Sequence, residues 1–253
     1  MPKLVVSVTC LLLCWSAAAR GEVLIVADEF PAMEVLAHAL KDQEGIDSRT
    51  VRQAEMPASL GAFSAVIVYI HMNLDETAEQ AFIAYAHQGG KLVVLHHSIS
   101  SGKRANREWF PFLGVRLPEG DVAQGGYQWI EGVSWRVVNR APTHFITTNK
   151  VKYEDQTSYA PQGAADGEKP LPSFTLPDAE VYLNHVWTGP RTLLLGLKYA
   201  DQKSGKTYAQ DTAGWYKRAG KGWVFYFMPG HSARDFQHPA FVRIVLNTII
   251  FTP

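Results

Sequence analysis

Histidine closes three of the four apolar runs that end in chemically active side chains. His71 follows AVIVYI, His96-His97-Ser98 follows KLVVL, and Gly230-His231-Ser232 follows FYFMP, while the fourth run, EVLIVA, ends at Asp28-Glu29. Imidazole titrates near neutral pH, so it is the side chain best suited to take and return a proton there, and its neutral form also ligates zinc or iron. An accompanying acid is offered by Asp178-Ala-Glu180-Val-Tyr182-Leu-Asn184-His185. If extended, that segment puts Glu180, Tyr182 and Asn184 on one face; the plainer alternative is a surface edge strand.

These considerations make His96, His97, His231 and Glu180 the candidate catalytic groups, and Asp28, His71, Ser98, Tyr182 and His185 the candidate substrate contacts. A histidine at a strand end often only bonds to its own loop, and this reading is kept beside the functional one for His71. Neighbours on a strand point to opposite faces, so one of His96 and His97 is expected in the cleft and the other in the packing. Ser98 lies in His-His-Ser-Ile-Ser without the G-x-S-x-G elbow, which argues against a serine triad. A zinc centre needs three or four converging ligands, and no H-E-x-x-H spacing occurs. No cofactor is therefore expected, with a metal ion on unknown ligands kept as an alternative. The tryptophans at 109, 129, 135, 187, 215 and 223 either stack on sugar rings or fill the core.

Thiol chemistry is excluded by position. The two cysteines, Cys10 and Cys14, both fall within residues 1–19, which read as a cleaved secretory leader: Lys3, an apolar stretch over 4–15, and the small residues Ala17-Ala18-Ala19. The apolar stretch is shorter than the roughly 20 residues of a membrane span, the alternative being an N-terminal anchor. Lipid attachment at Cys14 is disfavoured by the bulky Leu13 before it. A secreted or periplasmic domain over 20–253 would then have no disulfide, thiolate ligand or cysteine nucleophile. Basic and acidic residues balance at 24 each, so nucleic acid and anionic membranes find no strong field, and a small neutral or weakly charged ligand is expected. With 47% hydrophobic and 19% charged residues, the chain can bury a core as a single domain. Its oligomeric state is not legible.

The elements that must hold these groups alternate. Residues 22–27 read as a strand, followed by Pro31 and by Met33, Leu36, Ala37 and Leu40 at helical spacing. A weaker strand covers 46–51. The run 65–70 lacks polar alternation, as expected of a strand covered on both faces. Ala78, Phe82 and Tyr85 mark a second helix capped by Gly89-Gly90, and 91–95 is the next strand. This pattern predicts an α/β fold with an open, mostly parallel sheet and helices on both faces, whose ligands gather at the carboxyl ends of the strands. From 98 to 188 no clear helix pattern survives, and 162–169 reads as a surface loop. Strands resume at 192–199 and 222–227, and a closing helix over 239–251 puts Phe241, Ile244, Val245, Thr248 and Ile249 on one face.

Taken together, Gly89-Gly90-Lys-Leu-Val-Val-Leu-His96-His97-Ser98, Phe174-Thr-Leu-Pro-Asp178-Ala-Glu180-Val-Tyr182, and Gly220-Lys-Gly222 with Phe225-Tyr226 and Gly230-His231 resemble the trehalose-utilisation, or ThuA-like, family. Phe236 and the 239–251 helix resemble that family's closing segment, so the resemblance covers essentially the whole chain after the leader. It implies a class I glutamine amidotransferase-like, flavodoxin-like three-layer fold in which His96-His97 stand where the amidotransferases carry their elbow cysteine. Glutaminase chemistry through a thioester is thereby excluded. The resemblance also implies a carbohydrate-linked role involving disaccharides and their oxidised keto forms. Two departures stand out. Ala179 replaces the first of two acids before the tyrosine, with Asp178 one place early, and 150–170 reads as an insertion after His144-Phe-Ile-Thr, leaving His144 structural.

Two functions are consistent with these readings. One is an exported enzyme acting on a sugar or glycoside, keto-sugars included, by histidine-based acid–base hydrolysis or elimination. The other is a non-catalytic carbohydrate-binding module on the same fold, and a metal-dependent hydrolase is a third reading.

Overall fold

Apolar runs without alternation must be covered on both faces, and the first part of the chain forms such strands. The computed structural model describes residues 21–165 and 167–253; the expected leader, with Cys10, Cys14 and its expected cleavage site, lies outside the described residues. β1 (Val23–Ala27), α1 (Pro31–Glu44), β2 (Ser48–Val51), β3 (Ala65–Tyr69), α2 (Glu76–His87) and β4 (Lys91–Leu95) follow one another. Every residue of β1 and β3 is buried, as is β4 after Lys91. Pro31 opens α1 where its missing N–H costs nothing, and Gly45 closes it at φ 66. The cap of α2 is Gln88 rather than the expected glycine pair, with Gly89 following at φ 120.

The middle of the chain is more regular than its sequence suggests. It holds α3 (Trp109–Leu113), β5 (Val115–Arg116), β6 (Gln128–Asn139), α4 (Phe145–Thr148), β7 (Asp155–Tyr159), β8 (Lys169–Leu183) and β9 (Val186–Trp187). Two of these strands are long, yet the first half of β6 is largely exposed and β8 carries Pro170, Pro172 and Pro177, so neither shows a clean period of two. The chain ends in β10 (Thr192–Ala200), β11 (Thr207–Ala219), β12 (Gly222–Phe227), α5 (Ala233–Gln237) and α6 (Pro239–Ile250).

Ten strands join in the order β2-β1-β3-β4-β12-β11-β10-β6-β8-β7. The first five are parallel in the flavodoxin-like order, and from β12 onward the pairs are antiparallel. The α/β class with helices on both faces is as the sequence predicts, but the sheet is mixed rather than mostly parallel, with four parallel and five antiparallel pairings among the described residues. Right-handed crossovers run one way from β1 to β2 and the other way from β3 to β4, which puts α1 and α2 on opposite faces. α1, α4, α5 and α6 pack on one another, whereas α2 packs on β4 and β12 and carries α3. Among the described residues no helix is long and apolar enough to cross a membrane.

Register shifts interrupt the ladder where β10 meets β11 and where β6 meets β8. Ile130 pairs with Val181 and Val133 with Ala179, so Glu131 and Gly132 together oppose Glu180 in a β-bulge, with Gly132 at φ 66. A second register shift follows between Val133 and Trp135, where Asp178 takes φ 51. Bulges increase local twist and re-aim side chains. Five strand spacings of about 4.8 Å would hold β4 and β8 roughly 24 Å apart in a flat sheet. The antiparallel half instead curls back, and its residue Glu180 touches His96 at the end of β4.

Candidate functional site

Chain geometry after β4 decides which way the two histidines face. His96 takes φ 44, a left-handed conformation rare outside glycine, and starts a 3-10 turn over His96–Ile99. Strand alternation therefore stops before the pair. The expectation that one ring enters the cleft while the other packs is corrected: both are buried, with ring centroids 4.4 Å apart, and both lie near His231.

One carboxylate oxygen organises the site. Oε2 of Glu180 meets Nε2 of His96 at 2.7 Å, Nδ1 of His231 at 3.1 Å and the Tyr182 hydroxyl at 3.1 Å. Burial is the largest influence on Glu180 and pushes its pKa up, but the hydrogen bonds and positive charge of His231 and His96 outweigh it and bring the carboxyl to about 2. Burial keeps the Tyr182 phenol neutral and so a donor. Nδ1 of His96 faces the Met228 carbonyl just past β12, so both nitrogens of that ring are engaged. His96 holds Glu180 in place and has no nitrogen left for a ligand.

His231 sits on a turn built for it. Gly230 takes φ 121, and a Cβ there would meet the Phe236 ring at 3.0 Å. Asp235, buried at the start of α5, accepts the N–H groups of Gly230 at 3.0 Å and His231 at 2.8 Å, and the Tyr69 hydroxyl donates to the His231 carbonyl at 3.2 Å. The hydrogen bond to Glu180 raises the His231 pKa above its ordinary value, against partial desolvation. With Nδ1 on Glu180, Nε2 is the nitrogen left to an open cavity of about 570 Å³ lined by Glu131, Gly132, Asp178, Ser232 and Arg234. That cavity shares Glu131 and Gly132 with a second one of about 820 Å³, which Trp129, Tyr199 and Tyr208 line.

His97 lies between the Glu180 cluster and the ends of β1 and β3. Its ring stacks on His71 at 4.4 Å and 18°, and neither of its nitrogens has a hydrogen-bond partner among the described residues. Burial, with the neighbouring His96, His71 and His231, keeps it neutral. His71 is half-exposed and its Nδ1 lies 2.9 Å from Oε1 of Glu29. Asp28 spends both carboxylate oxygens on the backbone N–H groups of His71 and Met72, at 2.8 and 2.7 Å, which makes it a clamp on that loop. Buried Lys103 donates to the His71 carbonyl at 2.7 Å, and its burial lowers its pKa to about 8 against the opposing charge of Asp28.

Besides Asp28 and Tyr182, whose polar atoms are committed to the His71 loop and to Glu180, two further expected substrate contacts fall elsewhere. The Ser98 hydroxyl accepts from Ile70 N–H and donates to the Val68 carbonyl, both at 3.0 Å, so it staples β3 to the 96–99 turn and is closed to a ligand. His185 is buried in an aromatic box, parallel to Tyr127 at 5.4 Å, with Tyr182, Trp187 and Tyr226 around it. Burial, with His96 nearby, lowers its pKa to about 3 and leaves it a neutral packing residue. The predicted Glu180–Tyr182–Asn184 face stops at Tyr182, because Asn184 takes φ 61 and turns its amide to the carbonyls of Val122 and Gly126. β8 is internal to the sheet order, between β6 and β7, rather than an edge. His144 caps α4 and meets the Tyr216 hydroxyl at 3.1 Å, a structural place. Of the tryptophans, 109, 135 and 215 are core and Trp129 is half-exposed. Sequence reasoning missed Asp235 and Glu131; Ser232-x-x-Asp235 at the mouth of a helix was the available signal for the first.

The family described as "ThuA: Trehalose utilisation" matches residues 22–252. No curated protein matches the chain. Among solved structures, the chain is similar to a putative ThuA-like protein from Bacteroides uniformis at 16% identity and TM-score 0.60, over 92% of this chain and 91% of that one. It is similar to a cytoplasmic protein from Salmonella typhimurium LT2 at 15% identity and TM-score 0.58, over 90% and 98%. A β-galactosidase from Rahnella sp. R3 shares 12% identity and TM-score 0.50, over 89% of this chain and 30% of that one. At these identities the structural likeness shows the fold alone.

Proposed function

The chain belongs to the trehalose-utilisation (ThuA) family, and we propose that within it the protein is an exported enzyme that acts on a sugar or glycoside, keto-sugars included, by proton transfer at His231. The observation that carries this reading is the 3.1 Å contact between His231 Nδ1 and Glu180 Oε2, with Nε2 left to an open cavity. A carboxylate on one imidazole nitrogen fixes the tautomer, stabilises the imidazolium that forms, and presents the other nitrogen's lone pair as a base. Glu180 is then the orienting acid. His96 and Tyr182 hold that acid's oxygen, and neither touches the substrate.

A base of this kind takes a proton from the carbon beside a keto group and lets the glycosidic oxygen leave, or takes one from a water that attacks the glycosidic carbon. The same ring returns the proton to the departing oxygen. The transfer itself needs no cofactor. A small carbohydrate is the ligand, and the leader over 1–19 accounts for a secreted or periplasmic location. The sugar-binding module remains the second reading, and half-exposed Trp129 in the adjoining cavity favours it, since an aromatic face suits the C–H side of a pyranose.

The test is turnover of a panel of disaccharides and their keto derivatives by the wild-type protein and by His231→Ala. Product formation that falls by about 10²–10⁴ in the variant is the expected result. Unchanged turnover in His231→Ala removes His231 from the chemistry. Binding of the panel by the wild-type protein without any product selects the module.

A further inference from the structure

A second cluster lies beside the Glu180–His231 pair, where β1 and β3 part. In the flavodoxin-like order the chain reverses direction between these strands, and ligand crevices open at such a switch point. Glu29 and His71 stand just past the two strands, and His97 reaches the same place from the turn after β4. One ligand atom from each of the three lies within 4.8 Å of the others. Glu29 and His71 are half-exposed, which leaves a way in from solvent, while His97 closes the inner side at 2% exposure. Both its nitrogens lack a hydrogen-bond partner among the described residues. Buried polar atoms are almost always paired; the nitrogens of His185 are also unpartnered among the described residues, but His97 alone of the two lies within reach of other metal-ligating groups.

We propose that Glu29, His71 and His97 bind a divalent transition-metal ion, with Zn²⁺ the best match to two imidazoles and a carboxylate. This ligand set leaves coordination positions open, as catalytic rather than structural sites do. Ligand atoms around a tetrahedral zinc lie about 3.3 Å apart, so the cluster has to contract slightly and the His71–His97 stack has to open. His96, His97 and His231 also come within 4.8 Å of one another. That set is disfavoured, because both nitrogens of His96 and Nδ1 of His231 are already committed, and binding there would dismantle the Glu180 cluster. The Glu29 set gives up only one exposed contact. Asp28 is no ligand, since both its oxygens hold backbone N–H groups.

An ion at this place would be one histidine away from the base, since the rings of His97 and His231 are 5.9 Å apart. It would polarise a sugar carbonyl or hydroxyl whose neighbouring proton His231 takes. That catalytic use rests on the proposed function; binding of the ion does not.

The full chain, stripped with a chelator, is titrated with Zn²⁺ by calorimetry and with Co²⁺ by its visible absorption. One equivalent is expected to bind, with Glu29→Gln and His71→Ala each weakening affinity at least tenfold and His231→Ala changing it less than about threefold. His97→Gln should abolish binding, but it replaces a core residue, so the two exposed variants carry the decision. Absence of stoichiometric binding overturns the site, as does wild-type affinity in Glu29→Gln and His71→Ala. Loss of binding in His231→Ala also overturns it, by moving the ion to the other histidines. Failure of the acid–base reading looks different: Zn²⁺ still binds as described while His231→Ala leaves sugar turnover intact.

Discussion

Nδ1 of His231 and Oε2 of Glu180 are 3.1 Å apart, and the same oxygen meets Nε2 of His96 at 2.7 Å. Removing the carboxylate therefore releases two imidazoles at once. Glu180→Gln is expected to keep the shape but lower turnover by about 10²–10⁴, with a smaller change in KM. Glu180→Ala, which strands His96 in the interior, should also cost about 3–5 kcal/mol of stability. Steady-state kinetics and chemical denaturation check both. Wild-type turnover in Glu180→Gln would leave His231 without its orienting partner and the reading without support.

The same pair makes a pH prediction. His231 titrates above its ordinary 6.5 because of Glu180, so base-dependent turnover should rise through a pH above 6.5, and in Glu180→Gln that limb should move to lower pH. Stability follows two windows. The contribution of Glu180 is complete above its ordinary 4.5 and is lost as pH falls toward about 2, while that of His231 is complete below 6.5 and is lost as pH rises through its raised value. Thermal melts across this range should peak between the windows. A flat profile would contradict the pairing.

Asp235 acts through the backbone. Asp235→Ala leaves the buried N–H of Gly230 and the neighbouring N–H of His231 without their acceptor, at about 1–3 kcal/mol for a buried group. The expected kinetic effect is a lower kcat at nearly constant KM, since the ring is displaced and the cavity is not. Gly230→Ala should be destabilised by about 1–3 kcal/mol through its φ of 121 and its approach to Phe236. A Gly230→Ala protein that melts like wild type would show that the turn is not held as described.

Ser98 separates structure from chemistry. Ser98→Ala removes the staple that ties the 96–99 turn to Val68 and Ile70, so the melting temperature should drop while turnover stays within a few-fold of wild type. A loss of about 10² or more in turnover, with the fold intact by circular dichroism, would bring back the hydroxyl as a participant.

Much of the parallel half is written locally. β1, β3, β4 and β12 are apolar runs because both faces are covered, and their ends mark where Asp28, His71, His96 and His231 must emerge. The antiparallel half is not written this way. β6 is exposed over much of its length, β8 is broken by prolines and a positive φ, and β11 shows no regular alternation of apolar and polar residues, so their patterns carry little signal. The roles of single polar residues were also hidden. Ser98 and His185 stand beside groups of the site in sequence, yet one bonds to backbone from β3 and the other is enclosed by aromatics from several elements.

The amino-acid order alone determined the α/β class, the carboxyl edge where the candidate site lies, and the histidines and acid that gather there, because burial on two faces imposes a composition on each strand. Only the folded chain decided that His96 serves Glu180 while His231 faces the cavity, and that His97 turns toward Glu29 and His71. Those outcomes depend on a left-handed residue at the end of β4 and on the twist and register shifts of the antiparallel half. Twist accumulated over many strands is a long-range property, and no window of neighbouring residues contains it.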